Sequence, residues 1–286
     1  MKVKLFQNPQ NPGQVKYLLM SDNTLCPLLK CHLPSVWYNG STLKSAGDKG
    51  DTMDTTILQK MDGYVIRLSE HALITLILNG LEAYCVQHEN KTPQLETCGA
   101  LFGYQIPLRG NRILYQIEMA NVDTSAKRNK RSVTPNTNAM RLKAEIMETY
   151  WPNLQYLGDY HTHVYKSLDD VYSVELEEGD RRGDDKGYYI SNGDRRWLEA
   201  NAALCLNYGY RVGLVVTIAG MKRNGNIGAK PANTRSQAVE FNLGKRKVWI
   251  SAYYAYEEGG NIKYSSNNDR FITLECPSLL GFRGEI

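Results

Sequence analysis

Tyr156-Leu157-Gly158-Asp159-Tyr160-His161-Thr162-His163 decides how the rest of the chain is read. It follows Pro152 and Asn153, which stop the helical spacing Met140, Ala144, Met147 and Trp151, and its aromatic and aliphatic residues predict a strand re-entering a sheet. Residues i and i+2 of a strand leave the same face, so His161 and His163 point at one place. Zinc takes nitrogen and oxygen ligands in a tetrahedron, and a catalytic site keeps one corner for water. Two imidazoles therefore call for a third ligand from elsewhere in the chain.

Toward the C-terminus, Ser191-Asn192-Gly193-Asp194 opens a helical pattern through Trp197, Leu198, Leu204, Cys205 and Tyr208, and an apolar strand, Val212 to Ala219, follows. Asp194 on the first turn of that helix is the candidate third ligand, with Ser191 as the cap. Toward the N-terminus, Glu96 immediately precedes the apolar strand Thr97 to Tyr104. A carboxylate held against a buried element gains pKa by desolvation, which suits a base that takes a proton from water and passes it to a leaving amine. Arg109-Gly110-Asn111 separates that strand from Ile113 to Val122 and predicts a hairpin. Tyr64 to Leu68 predicts a strand, and Ser69 caps an amphipathic helix through Leu73, Ile74, Ile77, Leu78, Leu81 and Cys85. The order is β-α-β-β-α-β-α-β, with later strands at Lys247 to Tyr256 and Arg270 to Cys276 and a Gly/Asn-rich loop from Arg223 to Thr234. The expectation is a mixed α/β domain with helices packed on a sheet.

Residues 1–60 read as an N-terminal extension without sustained periodicity, and 61–286 as the main domain. Within it, 164–190 reads as an exposed acidic insertion carrying Asp169, Asp170, Glu175, Glu177, Glu178, Asp180, Asp184 and Asp185. With 42% hydrophobic and 22% charged residues, a disordered or collagen-like chain is excluded. The net charge of +4 is too small and too spread out to predict a nucleic-acid stripe, and the cluster Lys127, Arg128, Lys130 and Arg131 reads first as a solvated loop. Met1 to Met20 holds no apolar signal core and no run reaches the length of a membrane span, so no membrane partner and a cytoplasmic location are expected. Cys26, Cys31, Cys85, Cys98, Cys205 and Cys276 lack zinc-ribbon spacing and read as small, mostly buried hydrophobes.

Taken together, Glu96-Thr97-Cys98-Gly99-Ala100-Leu101-Phe102-Gly103, Gly158-Asp159-Tyr160-His161-Thr162-His163 and a Ser-x-x-Asp opening a helix resemble the JAMM (MPN+) zinc metalloproteases. The resemblance covers about residues 64–219. It implies a cytidine-deaminase-type sheet flanked by helices, a Zn2+ cofactor, and hydrolysis of a peptide or isopeptide bond at the C-terminal tail of a ubiquitin-like modifier or its protein conjugate. Carried over by motif, Glu96 is the general acid/base, His161, His163 and Asp194 bind zinc, and Ser191 stabilises the oxyanion. The sequence departs from the family in having Val164 where proline usually follows the second histidine, and in the long stretch before Ser191. Ser167-Leu168-Asp169-Asp170 is a competing Ser-x-x-Asp, so Ser167 and Asp170 stand as alternatives; Ser191 and Asp194 are preferred because a helix and a buried strand follow them.

Each feature also has an ordinary reading. Ser-x-x-Asp alone is a helix cap, Glu96 alone a strand-end carboxylate, and a His-x-His pair alone a common strand pattern. His32, His71 and His88 have no partners in the pattern, and Tyr253, Tyr254 and Tyr256 read as strand packing. The alternative function is a catalytically silent MPN-type scaffold or assembly subunit.

Overall fold

The computed structural model describes residues 2–8, 11–20, 63–86, 93–110, 112–173, 187–201, 212–225, 228–232, 237–258, 261–264 and 272–279. The chain divides into two compact units, 1–54 and 55–286. The first contains β1 (Lys2–Asn8) and β2 (Asn11–Met20), an antiparallel hairpin running from Lys2↔Met20 inward. The extension read as irregular thus carries a regular element. A two-stranded ladder rests on backbone hydrogen bonds and demands little side-chain periodicity, which is why composition hid it. Cys26, Cys31, His32, His88 and Cys205 lie outside the described residues.

The second unit begins with β3 (Gly63–Leu68), α1 (Glu70–Cys85), β4 (Cys98–Leu108) and β5 (Arg112–Val122). The short ribbon β6 (Lys127–Arg128) and β7 (Val133–Thr134) leads into α2 (Thr137–Tyr150), β8 (Gln155–Tyr165) and α3 (Leu168–Tyr172). After α4 (Asn192–Ala200) come β9 (Val212–Gly220), β10 (Lys230–Pro231), β11 (Ala238–Leu243), β12 (Arg246–Glu258), β13 (Asn261–Tyr264) and β14 (Ile272–Glu275). Strand order is β10-β11-β12-β9-β8-β4-β5-β3-β14, with β13 added on β12. The sheet is mixed: β8/β9, β3/β5 and β3/β14 run parallel and the other pairs antiparallel.

This sheet curls on itself. Tyr64 of β3 and Tyr254 of β12 are separated by β5, β4, β8 and β9 in the strand order, yet their rings stack at 3.9 Å. The hollow of the curl is filled by α1. Ser69 caps it by accepting from the Ala72 N–H, and Leu73 and Leu76 on its inner face pack with Leu101, Ile117, Val216 and Ile218. β9 shows how one sequence serves two layers. Val212, Leu214, Val216 and Ile218 alternate toward α1, while Val215 joins Leu198 of α4 and Ala219 joins Trp249 on the opposite face. Gly213 on that opposite face has no room for a Cβ, because the Tyr253 ring lies against it.

The predicted hairpin, the capped first helix and the helix ended by Pro152 are all present, whereas β10, β11 and β13 had no anticipated counterpart. The 164–190 stretch needs a larger correction. Val171, Tyr188, Tyr189 and Ile190 are buried, packed against Ala219, Ala238 and Trp249 or, for Ile190, beside Leu198. Val171 at one described end and Tyr188 to Ile190 at the other therefore belong to the core, whereas Asp169 and Asp170 are exposed as expected; residues 174–186, with most of the acidic side chains, lie outside the described residues, as do 202–211. Cys98 and Cys276 are buried as expected, and Cys85 is exposed. Among the described residues no helix is long and apolar enough to cross a membrane.

Candidate metal centre

β8 presents Asp159, His161, His163 and Tyr165 on the face away from α1. It lies between β4, where Cys98 pairs with His161, and β9, where Val215 and Thr217 pair with His161 and His163. Held on both edges, the strand brings the two imidazoles together with their Nε2 atoms 3.2 Å apart. Thr162, between them, faces the other way and acts as a latch. Its N–H donates to the Thr97 carbonyl and its Oγ1 accepts from the Thr97 N–H, both at 2.8 Å. Continuing that register places Glu96 opposite His163, on the same face, and the Glu96 N–H is taken by the Asn129 carbonyl at 2.9 Å.

Asp194 arrives from α4. Ser191 is the N-cap, and the two residues form a reciprocal box: the Asp194 N–H donates to Ser191 Oγ at 3.2 Å, and Asp194 Oδ2 accepts from the Ser191 N–H at 2.8 Å. The same Oδ2 lies 3.2 Å from His161 Nε2 and 3.2 Å from His163 Nε2. Two nitrogens and one oxygen thus form a triangle of nearly equal edges. In a tetrahedral zinc complex with bonds of about 2.0–2.1 Å, ligand atoms stand about 3.3–3.4 Å apart, so these three atoms fit three corners of one. The donor set also suits zinc chemically: imidazole nitrogen and carboxylate oxygen, with the fourth corner left to the cleft. The His163 ring is already oriented for ligation, because its Nδ1–H donates to the Gly187 carbonyl at 3.1 Å and leaves Nε2 as the lone-pair atom.

Asp170 is elsewhere. Ser167 and Asp170 form a second reciprocal box on α3, where Asp170 Oδ2 accepts from the Ser167 N–H at 3.0 Å, and Asp170 is not part of the His161–His163–Asp194 group. The Ser191 hydroxyl donates to Asp194 Oδ2 at 2.6 Å. To meet an oxyanion it has to exchange that acceptor.

The electrostatics follow from burial and proximity. For Asp194, burial acts to raise the pKa, but the adjoining His161 and His163 outweigh it and hold the carboxyl well below the usual carboxylate range. For His161, burial disfavours the charged ring, and the Asp194 carboxylate overrules it, lifting the pKa to about 9. Glu96 behaves oppositely. Desolvation pushes it above its ordinary value, and the partial pull of His163 and His161 does not cancel that.

The cleft above these groups has a volume of about 250 Å³, and its lining includes Val133, Pro135, Met140, Trp197 and Leu198. A larger groove, about 670 Å³, shares Glu96, His163 and Ser191 and runs past Lys130, Arg131, Lys166 and Asp170. Lys130 and Arg131, expected in a solvated loop, therefore edge the site. Among the described residues this groove is lined by three cationic side chains, Lys130, Arg131 and Lys166, and two anionic ones, Glu96 and Asp170. Asp123, fully buried, sets the ribbon that carries these residues. It accepts from Ser125 Oγ at 2.7 Å and from the Asn136 N–H at 2.7 Å, and its own N–H donates to the Cys98 carbonyl at 2.8 Å. Neither Asp123 nor Gly187 was singled out in the sequence. An Asp two residues before a Ser signals a local turn, but a backbone carbonyl acceptor leaves no side-chain trace at all.

Compared with protein-family models and with curated proteins, the chain matches none.

Proposed function

We propose that this protein is a zinc-dependent peptidase or isopeptidase of the JAMM (MPN+) type, cutting at the C-terminal tail of a ubiquitin-like modifier in deconjugation or precursor processing. The observation that carries the reading is the triangle of His161 Nε2, His163 Nε2 and Asp194 Oδ2, 3.2 Å on each edge, with a buried carboxylate, Glu96, on the same face and outside the triangle. A curled mixed sheet with one helix in its hollow and two on the site face is compatible with an MPN-type core.

His161, His163 and Asp194 would hold the ion. Zinc, when bound, supplies Lewis acidity that polarises a carbonyl and makes water acidic enough to lose a proton near neutral pH. Glu96, buried on the same face and outside the trio, would take up that proton and pass it to the departing amine. The walls from Val133, Pro135 and Trp197 position an extended segment and exclude bulk water from the reacting carbonyl. Ser191, next to Asp194, is placed to donate to the oxygen that gains charge once its hydroxyl turns from the carboxylate.

The test combines metal analysis with a panel of ubiquitin-like C-terminal fusions. About one zinc per chain, and chelator-sensitive release of the fused partner, are expected. A protein that binds no zinc, or a zinc-loaded protein that cleaves no fusion in the panel, would defeat the proposal.

A further inference from the structure

Across the site face, the register sets one lateral row: His163 beside Thr217, Thr217 beside Trp249, Trp249 beside Glu240, and Glu240 beside Lys230. In the far half of that row Glu240 is charged yet buried, and Lys230 beside it is exposed. The Trp249 indole N–H donates to Glu240 Oε2 at 3.0 Å, Lys247 Nζ meets the same oxygen at 2.8 Å, and Lys230 Nζ reaches Oε1 at 3.3 Å. Such a pair stabilises a fold less than apolar packing of the same volume, so its presence calls for something it positions. That something lies on top of Trp249. The Tyr188 ring stacks on the indole at 5.4 Å with an interplanar angle of 1°, and the Tyr188 carbonyl accepts from Ser251 Oγ at 2.5 Å.

Tyr188 is the neighbour of Gly187, whose N–H donates to the Val171 carbonyl at 2.9 Å and whose carbonyl orients His163. The same segment runs on through Ile190, buried against Val215 and Leu198, to Ser191 and Asp194. We infer that Tyr188 on its Trp249–Glu240 post is the positioning residue of the candidate metal centre, setting the Gly187 carbonyl against His163 and the start of α4 against both imidazoles. The inference builds on the reading of the trio as a metal site. Its physical core is that residues 187–190 belong to no strand, so the Gly187–Val171 backbone hydrogen bond, side-chain stacking and the Ser251 hydroxyl supply the register.

The variants are Tyr188→Leu, Tyr188→Phe and Ser251→Ala, in the full chain. Three properties are measured: zinc affinity by chelator competition, the slowly exchanging His163 Nδ1–H resonance in metal-free protein, and the melting curve. Tyr188→Leu is expected to weaken zinc binding by roughly 10- to 100-fold and to lose the Nδ1–H resonance, with Tyr188→Phe restoring both. Ser251→Ala, which removes one hydroxyl and folds even where the larger change does not, is expected to weaken binding several-fold and broaden the resonance. A merely structural role lowers the melting temperature and leaves zinc affinity and the resonance of the folded protein unchanged; that result in Ser251→Ala or in folded Tyr188→Leu overturns the inference. If wild-type protein binds no zinc, the metal reading fails separately, and the His163 resonance still decides the positioning.

Discussion

Glu96 and Asp194 reach the same pair of imidazoles by different routes. Glu96 is delivered by a ladder: β4 lies beside β8, and the Thr97–Thr162 exchange of two 2.8 Å hydrogen bonds ends one residue short of it. Asp194 is delivered by a helix start that follows a long excursion and is held by its cap, by Leu198 and Ile190 packing, and by the Tyr264 hydroxyl on the Arg195 carbonyl at 2.8 Å. A ladder fixes position through backbone atoms that nearly any sequence supplies. A packed helix end fixes it through particular side chains, so the Asp194 side should be the more sensitive to substitution at a distance, and the Glu96 side the more sensitive to local polar changes.

The largest expected effect separates the two carboxylates by role. Glu96→Gln should keep zinc and fold while hydrolysis falls by roughly 10²–10⁴. Equal turnover by the variant and wild type would remove Glu96 from the chemistry. Next, Asp194→Ala should drop the zinc content from about one per chain to near none, whereas Asp170→Ala should retain the metal and lower stability only slightly, since it removes the Asp170 half of the α3 box and leaves the Ser167 cap in place. Metal analysis and denaturant melts of both variants check this, and the reverse pattern would move the third ligand to α3.

Thr162→Val sharpens the contrast further. It keeps the shape of a side chain that is fully buried but leaves the Thr97 N–H unpaired, a loss of about 1–3 kcal/mol, and it loosens Glu96 rather than the trio. A lower kcat at unchanged zinc affinity is the expected signature; weaker zinc binding with kcat intact would mean the latch serves the histidines instead. The smallest effect concerns pH. In metal-free protein His161 moves from an ordinary value near 6.5 to about 9, because Asp194 overrules burial. A raised folded pKa contributes stability that is full below about pH 6.5 and is lost as the pH rises through about 9. The thermal midpoint should fall across that window, and Asp194→Asn should flatten the fall; a wild-type midpoint level from pH 6.5 to 9 would contradict the coupling.

Much of the fold was legible because its signals are local. Ser69 before an apolar 3.6-residue spacing, Pro152 after one, and the turn at Arg109–Gly110 each name an element boundary in a few residues. β11 was not read because Gln237, Glu240 and Asn242 interrupt any apolar run, and these polar groups become buried when β12 pairs alongside. Tyr188 to Ile190 read as loop for a related reason: three apolar residues after an acidic stretch show no period, and their burial comes from Trp249, Ala219 and Leu198, far away in sequence.

The sequence by itself determined that two imidazoles share a face, since the period of a strand is two wherever the strand lies. It also pointed to Ser191-x-x-Asp194 as the opening of a helix, which it is; Ser167-x-x-Asp170, after which no helix was expected, opens a short one too, with the same reciprocal hydrogen bonds. The preference for Asp194 over Asp170 rests on the helix and buried strand that follow it, but the two motifs are locally equivalent, as both boxes show, so local sequence alone does not separate them. The tertiary structure decided it. β9 pairs beside β8 on the site face, Tyr188 settles on Trp249, and the chain leaving that contact starts α4 with Asp194 Oδ2 at 3.2 Å from both rings, while Asp170 stays on its own short helix.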